Sequence, residues 1–531
     1  MKEKMSSQSS LYYKTIALLV FIIGVIYFPL INSSTPIANK DSYILDNLRD
    51  VNTLEDYIRD FKSGKIKDLQ PVKDISLRLD IYLESFFGEK IYLYSNILIW
   101  LGICLAILNI LLLYERKFSN LVFWFFLIVT HPIYVQSVSW ISARKHLISF
   151  FLILICMNLF LRGKRDIKTK VITTILFTAA LLSHPLPVLW SLWTVIYLVL
   201  IKERPLLKSL IAQAHLLTVS LFIGLSNIYY VSGHLKAIGH EHYLEQDLWS
   251  DKILSIGRYF AQYLIPIQYS SFYDKGSLLN LIGMIGSVLF IYLLLKYFEK
   301  KKVITYLSLF FLGLFPVTYK MTVIFVSDTY MLLPSLAFCL LLADSKYFKV
   351  DLSNYLKSAL VLLILLFTYR SHIEASFFQS NIVYLKNSYE KEKSCRNMYF
   401  LSLLYFKNGE AVEGARIGED FITKKCVNLN LNLNGEVQSL IVKSLVFSKG
   451  EKLEGKEAYL LKLSKRSSYN KLALATYYLL NQNEKFAFST LNKIIGDPKQ
   501  PKISSDDLFL SQFYLYCRPR KRAVCTNLLD Y

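Results

Sequence analysis

The chain of 531 residues lacks the short motifs that mark several large enzyme classes. It has no Gly-rich phosphate loop, no serine nucleophile elbow and no His-Glu-x-x-His zinc helix. Their absence argues against a P-loop nucleotidase, an α/β-hydrolase and a zinc protease. Cys-x-x-Cys pairs are also missing, and the two histidines within 239–243 have no obvious third ligand. The sequence therefore predicts neither a metal nor a cofactor.

Acidic residues are scarce relative to basic ones, with 40 Asp and Glu against 61 Lys and Arg and a formal net charge of +21. An excess of this kind can indicate nucleic-acid binding. The basic residues are, however, spread over short loops between apolar blocks rather than gathered on one soluble face. We therefore expect no nucleic-acid partner and attribute the charge to loops at a membrane surface.

Long polar stretches are rare between the first apolar run and residue 369, apart from two predicted outer loops at 33–90 and 229–277. Hydrophobic residues make up 53% of the chain, and the mean hydropathy is +0.35. Apolar blocks of bilayer-spanning length predict membrane-crossing helices. The predicted fold is all-α, a polytopic bundle of about eleven spans at 15–32, 91–113, 119–135, 146–162, 170–183, 186–201, 208–228, 278–296, 303–318, 329–344 and 355–369.

The basic loops determine the predicted orientation, because cytoplasmic loops carry an excess of Lys and Arg. Lys2, Lys4 and Lys14 precede the first span, and further basic residues fall in alternate loops, at 116–117, 162–170, 202–208, 300–302 and 346–357. These segments are predicted to be cytoplasmic, and the loop 33–90 and the tail after about 370 to lie outside. The first span has no small-residue cleavage site and is predicted to be retained.

The tail after residue 369 changes from apolar blocks to mixed amphipathic sequence. Segments that begin at Leu401, Ile441 and Leu472 each combine an apolar helical pattern, a short Gly or Asn turn followed by Glu, and a second helical pattern. This arrangement predicts a helix-turn-helix repeat domain of the tetratricopeptide type over 370–531. A generic helical domain is the alternative.

Four of the seven cysteines lie in this tail, at Cys395, Cys426, Cys517 and Cys525. Because the tail is predicted to lie outside the cytoplasm, disulfides can form there. An antiparallel helix pair would bring Cys395 and Cys426 together, and Cys517 can pair with Cys525 across the last turn. Four unrelated free thiols are the alternative.

The segment 131–147 places a histidine, a tryptophan, an arginine and a lysine between two apolar runs. Cationic side chains at that depth are costly unless they meet water or an anion. A lipid-linked phosphate is one such anion, and Arg144 and Lys145 are the cations of this segment. The alternatives are interfacial anchoring by both cations and helix capping by His131.

Several ordered motifs resemble those of a known family. The most specific is its HP-x-x-x-E-S-V-A-W-I-x-x-R-K-x-x-L signature, which the chain matches at His131-Pro132, Ser137-Val138, Trp140-Ile141, Arg144-Lys145 and Leu147. Further matches follow the family's order at 44–47, 77–80, 94–96, 181–183, 258–269 and 315–335. The chain thus resembles bacterial relatives of the transmembrane and tetratricopeptide-repeat mannosyltransferases, within the GT-C superfamily of polyprenyl-phosphate-sugar-dependent glycosyltransferases.

The resemblance implies an inner-membrane enzyme that transfers a sugar from a polyprenyl-phosphate donor to a protein or glycan acceptor, such as Ser or Thr hydroxyls, outside the cytoplasm. Membrane lipid and proteins bound by the repeats are the other implied partners. The base is implied to lie on the first outer loop, where Asp41 matches one of the family's paired acids, with Asp46 and Asp50 as alternatives. Arg144, as a bidentate donor, and Lys145, as a point charge, are implied to bind the departing phosphate. The implied supporting polar residues are His131, His184, Asp328 and Tyr330.

The chain departs from the family at three charged positions, where Gln136, His184 and Thr329 replace Glu, Lys and Arg. These substitutions favour an alternative in which the chain is a catalytically silent relative that acts as a membrane-anchored repeat scaffold. A transporter or flippase of lipid-linked sugars is a third hypothesis. It predicts inverted repeats and helices broken by Gly and Pro in both halves, which the sequence does not show.

The predicted topology can be tested with reporter fusions. A fusion after Lys301 is expected to report the cytoplasm and a fusion after Lys465 the opposite side, because Lys301 lies in a basic loop between two predicted spans and Lys465 lies in the tail beyond the last predicted span. Paired alkaline phosphatase and fluorescent-protein reporters would measure this. If both sites reported the same compartment, the predicted orientation would be wrong.

Overall fold

The computed structural model describes most of the first 423 residues and Ser489 of the tail. The described ranges are 2–32, 45–51, 53–62, 70–114, 118–163, 166–237, 249–264, 266, 278–318, 327–344, 353–391, 393–408 and 410–423. The segments 33–44 and 238–248, and nearly all of the tail beyond Thr423, lie outside them.

Helices make up all the regular elements within these ranges, so the predicted all-α class is confirmed there. Short 3₁₀ turns lie at Pro132–Tyr134, Ile141–Ala143, Leu186–Leu189 and Asp328–Met331. The α-helices are α1 Lys2–Asn32, α2 Leu54–Lys62, α3 Pro71–Phe87, α4 Ile91–Leu112, α5 Phe118–Val129, α6 Val135–Ser139, α7 Arg144–Leu161, α8 Ile167–Ser183, α9 Trp190–Leu200, α10 Leu206–Ala237, α11 Trp249–Leu264, α12 Leu278–Tyr297, α13 Lys300–Thr318, α14 Leu332–Ala343, α15 Asn354–Phe377, α16 Asn381–Lys391, α17 Cys395–Lys407 and α18 Ala411–Thr423.

Several helices of the described part can span a membrane. Five are long and apolar enough, at Ser10–Asn32, Ile91–Leu112, Ile141–Leu161, Leu206–Tyr229 and Asn354–Phe377. The pair Asn120–Val129 and Pro132–Ser139, bent by 43°, makes a sixth span if it crosses as one unit. Shorter apolar helices lie at Leu186–Leu200, Leu281–Tyr297 and Asp328–Ala343. The count of eleven spans stays a prediction.

Two compact units divide the chain, Met1–Tyr384 and Leu385–Tyr531. The division falls later than the predicted boundary at 369, because the last apolar helix, α15, continues to Phe377. In the second unit, α17 and α18 pack as a helix pair where the first predicted repeat begins. The other two predicted repeats lie outside the described residues, so the tetratricopeptide assignment stays a prediction.

A proline inside α1 ties this helix to α15. Pro29 has no backbone N–H, so the carbonyl of Val25, four residues earlier, loses its helical donor. The Nδ1 atom of His372 in α15 lies 2.7 Å from this carbonyl oxygen and donates to it. The side chain of Gln379 donates to the Pro29 carbonyl at 3.3 Å. His372 and Gln379, which lie near the end of the unit Met1–Tyr384, thus complete the hydrogen bonding of α1.

The break between α5 and the turn at Pro132–Tyr134 also has a sequence cause. A residue before proline is driven out of the helical region, and His131 accordingly has φ −60° and ψ 127°. The Thr130 carbonyl at the end of α5 accepts a hydrogen bond from the Ser371 hydroxyl at 2.8 Å. The backbone that Pro132 interrupts is therefore satisfied by α15, as membrane burial requires.

Two glycines let α11 and α12 approach closely. A Cβ atom on Gly283 would lie 2.9 Å from the Cβ of Ala261 and closer still to the Gly257 carbonyl. Small residues at such a contact allow helix backbones to pack within a membrane. Gly286, one turn further along α12, has open space around it instead.

This contrast gives a matched pair of variants. Gly283→Ala is expected to lower the thermal unfolding temperature in detergent, because overpacking costs about 1 to 3 kcal/mol. Gly286→Ala is expected to leave that temperature unchanged or raise it slightly, since alanine favours a helix by about 1 kcal/mol over glycine. Equal behaviour of the two variants would contradict the close packing at Gly283.

Candidate functional site

The helix α3 turns charged side chains toward the protein interior. Pro71 occupies its first turn, where its missing N–H is no loss. Gly88 ends it with φ +68°, and its N–H donates to the Glu84 carbonyl at 2.8 Å. Between these ends, Lys73, Asp74 and Asp80 are buried. Since isolated buried charges are very costly, each needs a partner.

Lys73 and Asp74 form a buried ion pair. The Lys73 Nζ atom lies 2.9 Å from Asp74 Oδ1, and both side chains are less than one tenth exposed. The hydroxyl of Tyr57 in α2 donates to Asp74 Oδ2 at 2.7 Å. The Asp74 carboxylate thus binds both the Lys73 ammonium group and the Tyr57 hydroxyl, and all three residues lie in the segment between α1 and α4.

Arg144, at the start of α7, pairs with Asp80, and both side chains are almost completely buried. Its Nε donates to Asn96 Oδ1 at 2.7 Å and its Nη2 to the Tyr92 carbonyl at 2.6 Å. Ser95 donates its hydroxyl to the second oxygen of Asp80 at 2.6 Å. The guanidinium therefore joins α3, α4 and α7 through protein groups.

Asn96 extends this network to the segment 131–147. Its Nδ2 donates to the carbonyls of Val138 and Trp140 at 3.1 and 3.3 Å. These two carbonyls lie where α6 ends, and the backbone at Trp140 is extended. The fully buried amide of Asn96 thus fixes both the turn before Arg144 and the guanidinium itself.

Two His-Pro dipeptides adopt the same local structure. The Nδ1 of His131 accepts from the Ile133 N–H at 3.2 Å, and the Nδ1 of His184 accepts from the Leu186 N–H at 3.1 Å. In each case proline follows the histidine, and the extended histidine backbone aims the ring at the N–H two residues on. Both rings therefore cap a turn, and both carry their proton on Nε2 when neutral.

The two caps differ in the use of that second nitrogen. The Nε2 of His131 donates to the Tyr263 carbonyl at 2.9 Å, and its ring stacks on the Tyr263 ring with centroids 4.8 Å apart. Both nitrogens of His131 are thus engaged by protein, and the predicted capping alternative describes its contacts. His184 instead lies against the ring of His146, with centroids 4.1 Å apart.

Two lysines lie near His184. Burial, together with the positive charges of Lys145 and Lys73, holds the pKa of His184 well below its ordinary value. Its imidazole is therefore neutral at pH 7. Lys145 is held in place by its own backbone, whose carbonyl accepts from the Ser183 hydroxyl at 3.1 Å. Cations from α3 and α7 thus meet the end of α8, beside one carboxylate, Asp74.

A small cavity adjoins His184. It offers about 10 Å³ to the centre of a water molecule, close to the minimum for holding one. Its lining is mainly apolar but includes four polar residues, and it consists of His146, Ser149, Phe150, Ile153, His184, Leu186, Pro187, Thr329, Leu332 and Leu333. The ring of Tyr330 meets His146 edge-on at 5.4 Å. The space admits a water molecule but no sugar.

Gln136 and Thr329, two of the positions where the chain departs from the motifs it resembles, form part of one polar cluster. Gln136 is buried; its Nε2 donates to the Tyr384 hydroxyl at 2.9 Å, and its Oε1 accepts from the Ser327 hydroxyl at 3.4 Å. Ser327 and Thr329 hydroxyls lie 3.0 Å apart. Asp328, between them, is buried at the start of its 3₁₀ turn. The structure thus brings together Gln136 and the segment 327–329.

Other predicted residues fall elsewhere or outside the description. Asp41 and the histidines of 239–243 lie outside the described residues, as do Cys426, Cys517 and Cys525. Asp46 is exposed and pairs with Arg49 at 3.1 Å, and Asp50 is exposed as well. Cys395 is disulfide-bonded, while Cys104, Cys156 and Cys339 are buried free thiols. Within the described residues, no cluster of His, Cys, Asp and Glu suits a metal ion.

Lys73, Asp74, Asp80 and Asn96 were not predicted as site residues. The available signal was in 71–87, where a proline start and helical spacing of Lys73, Leu77 and Asp80 place charges on one face. A charged helix face ordinarily points to solvent, so the sequence alone predicts that Lys73 and Asp80 are exposed, whereas the structure buries them.

Comparisons with protein-family models, with curated proteins and with solved structures find no match for this chain. The family resemblance therefore rests on the motifs in the sequence.

The Arg144–Asp80 pair gives a test of what the site depends on. Asp80→Asn is expected to destabilise the folded protein by about 3 to 5 kcal/mol, because it leaves a buried guanidinium without its counter-charge. Lys301→Ala, which breaks the exposed pair with Glu203, is expected to have no measurable effect. Thermal unfolding in one detergent would compare them; an unchanged Asp80→Asn variant would show that the ion pair contributes little.

Proposed function

We propose that this chain is a membrane glycosyltransferase that transfers a sugar from a polyprenyl-phosphate donor to a hydroxyl acceptor outside the cytoplasm. The observation that carries the proposal is the contact between the start of α7 and the end of α8, where the Ser183 hydroxyl donates to the Lys145 carbonyl at 3.1 Å beside the buried His184. The positive charges of Lys145 and Lys73 act on His184 and lower its pKa. Cations are rare at such positions and serve function more often than stability. The chemistry that fits them is a phosphate held at the membrane boundary.

The lysines suit the leaving group of this reaction. As the acceptor oxygen bonds to the anomeric carbon, the bond from that carbon to the phosphate oxygen breaks, and the phosphate leaves with the electron pair. The developing charge is stabilised by fixed cations in a poorly solvated site, where electrostatic interactions are stronger than in water. The cavity beside His184 is too small for the sugar, so the sugar of the donor binds outside it.

His184 contributes a neutral donor to this proposal. Its Nδ1 is occupied by the Leu186 N–H, so the proton resides on Nε2. A neutral ring offers a hydrogen bond to a phosphate oxygen without adding a third charge. The substitution of the family's lysine by His184 is then compatible with phosphate binding, because Lys73 supplies a cation from α3.

Arg144 acts in this proposal as a positioning residue. Its guanidinium is committed to Asp80, Asn96 and the Tyr92 carbonyl. Direct contact with phosphate would require breaking these bonds. The network instead fixes the start of α7, and with it the neighbouring Lys145.

The base assigned by the family resemblance is Asp41, which takes the acceptor proton as the new glycosidic bond forms. The outer loop that carries it also contributes Tyr57 and α3 to the site. With the predicted orientation, the site faces the periplasm of a bacterial inner membrane. The repeat-like tail would then present protein acceptors on the same side of the membrane.

A second candidate, the catalytically silent scaffold, is favoured by Gln136. Both polar atoms of its amide are used in protein contacts, with Tyr384 and Ser327. A residue employed in this way stabilises a turn and needs no part in chemistry. This candidate predicts that proteins bind the tail while no sugar transfer occurs.

A transfer assay distinguishes the two candidates. Lys145→Gln is expected to lower transfer from a labelled polyprenyl-phosphate sugar by about a hundredfold or more, since each preorganised donor contributes that much. Lys168→Gln, at an exposed position, is the control and is expected to retain full activity. Asp41→Asn is expected to lose transfer while still binding the donor.

The assay uses purified full-length protein in nanodiscs, with acceptors from a membrane extract of its host. Wild-type activity that persists in Lys145→Gln would refute the phosphate role of the lysines. If no donor supported transfer and the tail bound envelope proteins, the scaffold would replace the enzyme.

A further inference from the structure

The helix α3 exposes an apolar stripe on the face opposite its buried charges. Ile75, Leu79, Tyr82 and Phe86 are 69%, 58%, 67% and 68% exposed. Their spacing of four, three and four residues places them on one side of the helix. Phe87, 62% exposed, extends the apolar surface at the helix end. An exposed row of four large apolar side chains marks an interaction surface.

The charged and apolar faces are reversed relative to a helix in water. Leu77 lies two positions beyond Ile75, or about 200° around the helix, and it is buried with Lys73 and Asp80 on the inner face. A surface helix of a soluble protein would present its charges outward and its apolar residues to the core. The surroundings of the outer face are therefore apolar.

The helix α3 lies next to the ends of two candidate membrane spans. Only residues 88–90 separate α3 from α4, and α4 is a membrane-spanning candidate that begins at Ile91. The Nζ of Lys90 donates to the carbonyl of Ile31, at the end of the candidate span in α1, at 2.6 Å. The end of α1 and the start of α4 thus lie at the same level. Phe87 is four residues before Ile91, so it lies within about 14 Å of the start of α4.

We infer that the outer face of α3 lies in the membrane interface and contacts lipid chains through Ile75, Leu79, Tyr82 and Phe86. Aromatic side chains are favoured at this depth, and a helix with one apolar face rests along the plane of the interface. The partner is the bilayer lipid itself. This inference does not depend on the proposed enzyme activity, because a scaffold would bury the same stripe.

The surface has a specific consequence for a lipid-linked ligand. A lipid chain on the outer face and an anionic head group at Lys73 on the inner face would be separated only by the thickness of α3. The helix is thus placed between the lipid phase and the cations near His184.

Photo-crosslinking tests the lipid contact directly. Benzoylphenylalanine is introduced at Leu79 or Tyr82 in the full-length protein, which is placed in nanodiscs of phosphatidylethanolamine and phosphatidylglycerol and irradiated. Mass spectrometry of the intact protein is expected to show phospholipid adducts at both positions. The control is the same residue at Glu55, which is exposed on the polar helix α2 and is expected to show at least tenfold fewer adducts.

Other results would overturn the inference. Equal lipid adducts at Leu79 and Glu55 would show that α3 is no closer to lipid than a polar helix. Adducts to a second copy or to a co-purified protein, in place of lipid, would assign the stripe to a protein partner. Benzoylphenylalanine at Ile75 provides a third position on the stripe if one of the first two fails to accumulate.

Discussion

The buried guanidinium of Arg144 is the constraint on which the candidate site depends. A charge of this kind is tolerated only if carboxylate, amide and carbonyl groups surround it, and these come from Asp80, Asn96 and Tyr92. The consecutive helices α3 and α4 must therefore meet α7, which begins about 50 residues later in the chain, in the correct register before the charge is satisfied. The neighbouring Lys145, the end of α8 and the inner face of α3 take their positions from that meeting.

The histidines around this centre illustrate how one local motif serves two purposes. His131 and His184 both precede proline and both cap a turn through Nδ1. At His131 the other nitrogen donates to the Tyr263 carbonyl, so protein groups engage both nitrogens. At His184 the same cap fixes the tautomer, and the ring contacts the ring of His146. The same backbone arrangement thus places the two rings in different surroundings.

Local hydropathy was sufficient to predict the helical membrane character, because apolar blocks such as those of α4 and α15 need no knowledge of their neighbours. The polar cluster around 131–147 was also recognised, since Arg144 and Lys145 interrupt apolar sequence. The residues that pair with these cations were not predicted from the sequence. Asp80 and Lys73 lie on a helix whose buried face is its charged one, and only long-range packing reveals that reversal. The contacts of Arg144 could not be read from local sequence for the same reason, because its hydrogen bonds reach 48 to 68 positions away.

The proline in α1 has a consequence for the order of assembly. During synthesis α1 is made before α15, and His372, which supplies the missing donor, follows Val25 by about 350 residues. Until then the Val25 carbonyl has no donor from its own helix, and in a hydrocarbon environment that carries an energetic penalty. A nascent chain that lacks α15 therefore leaves the Val25 carbonyl of α1 without this hydrogen bond, and a chain truncated before His372 never forms it.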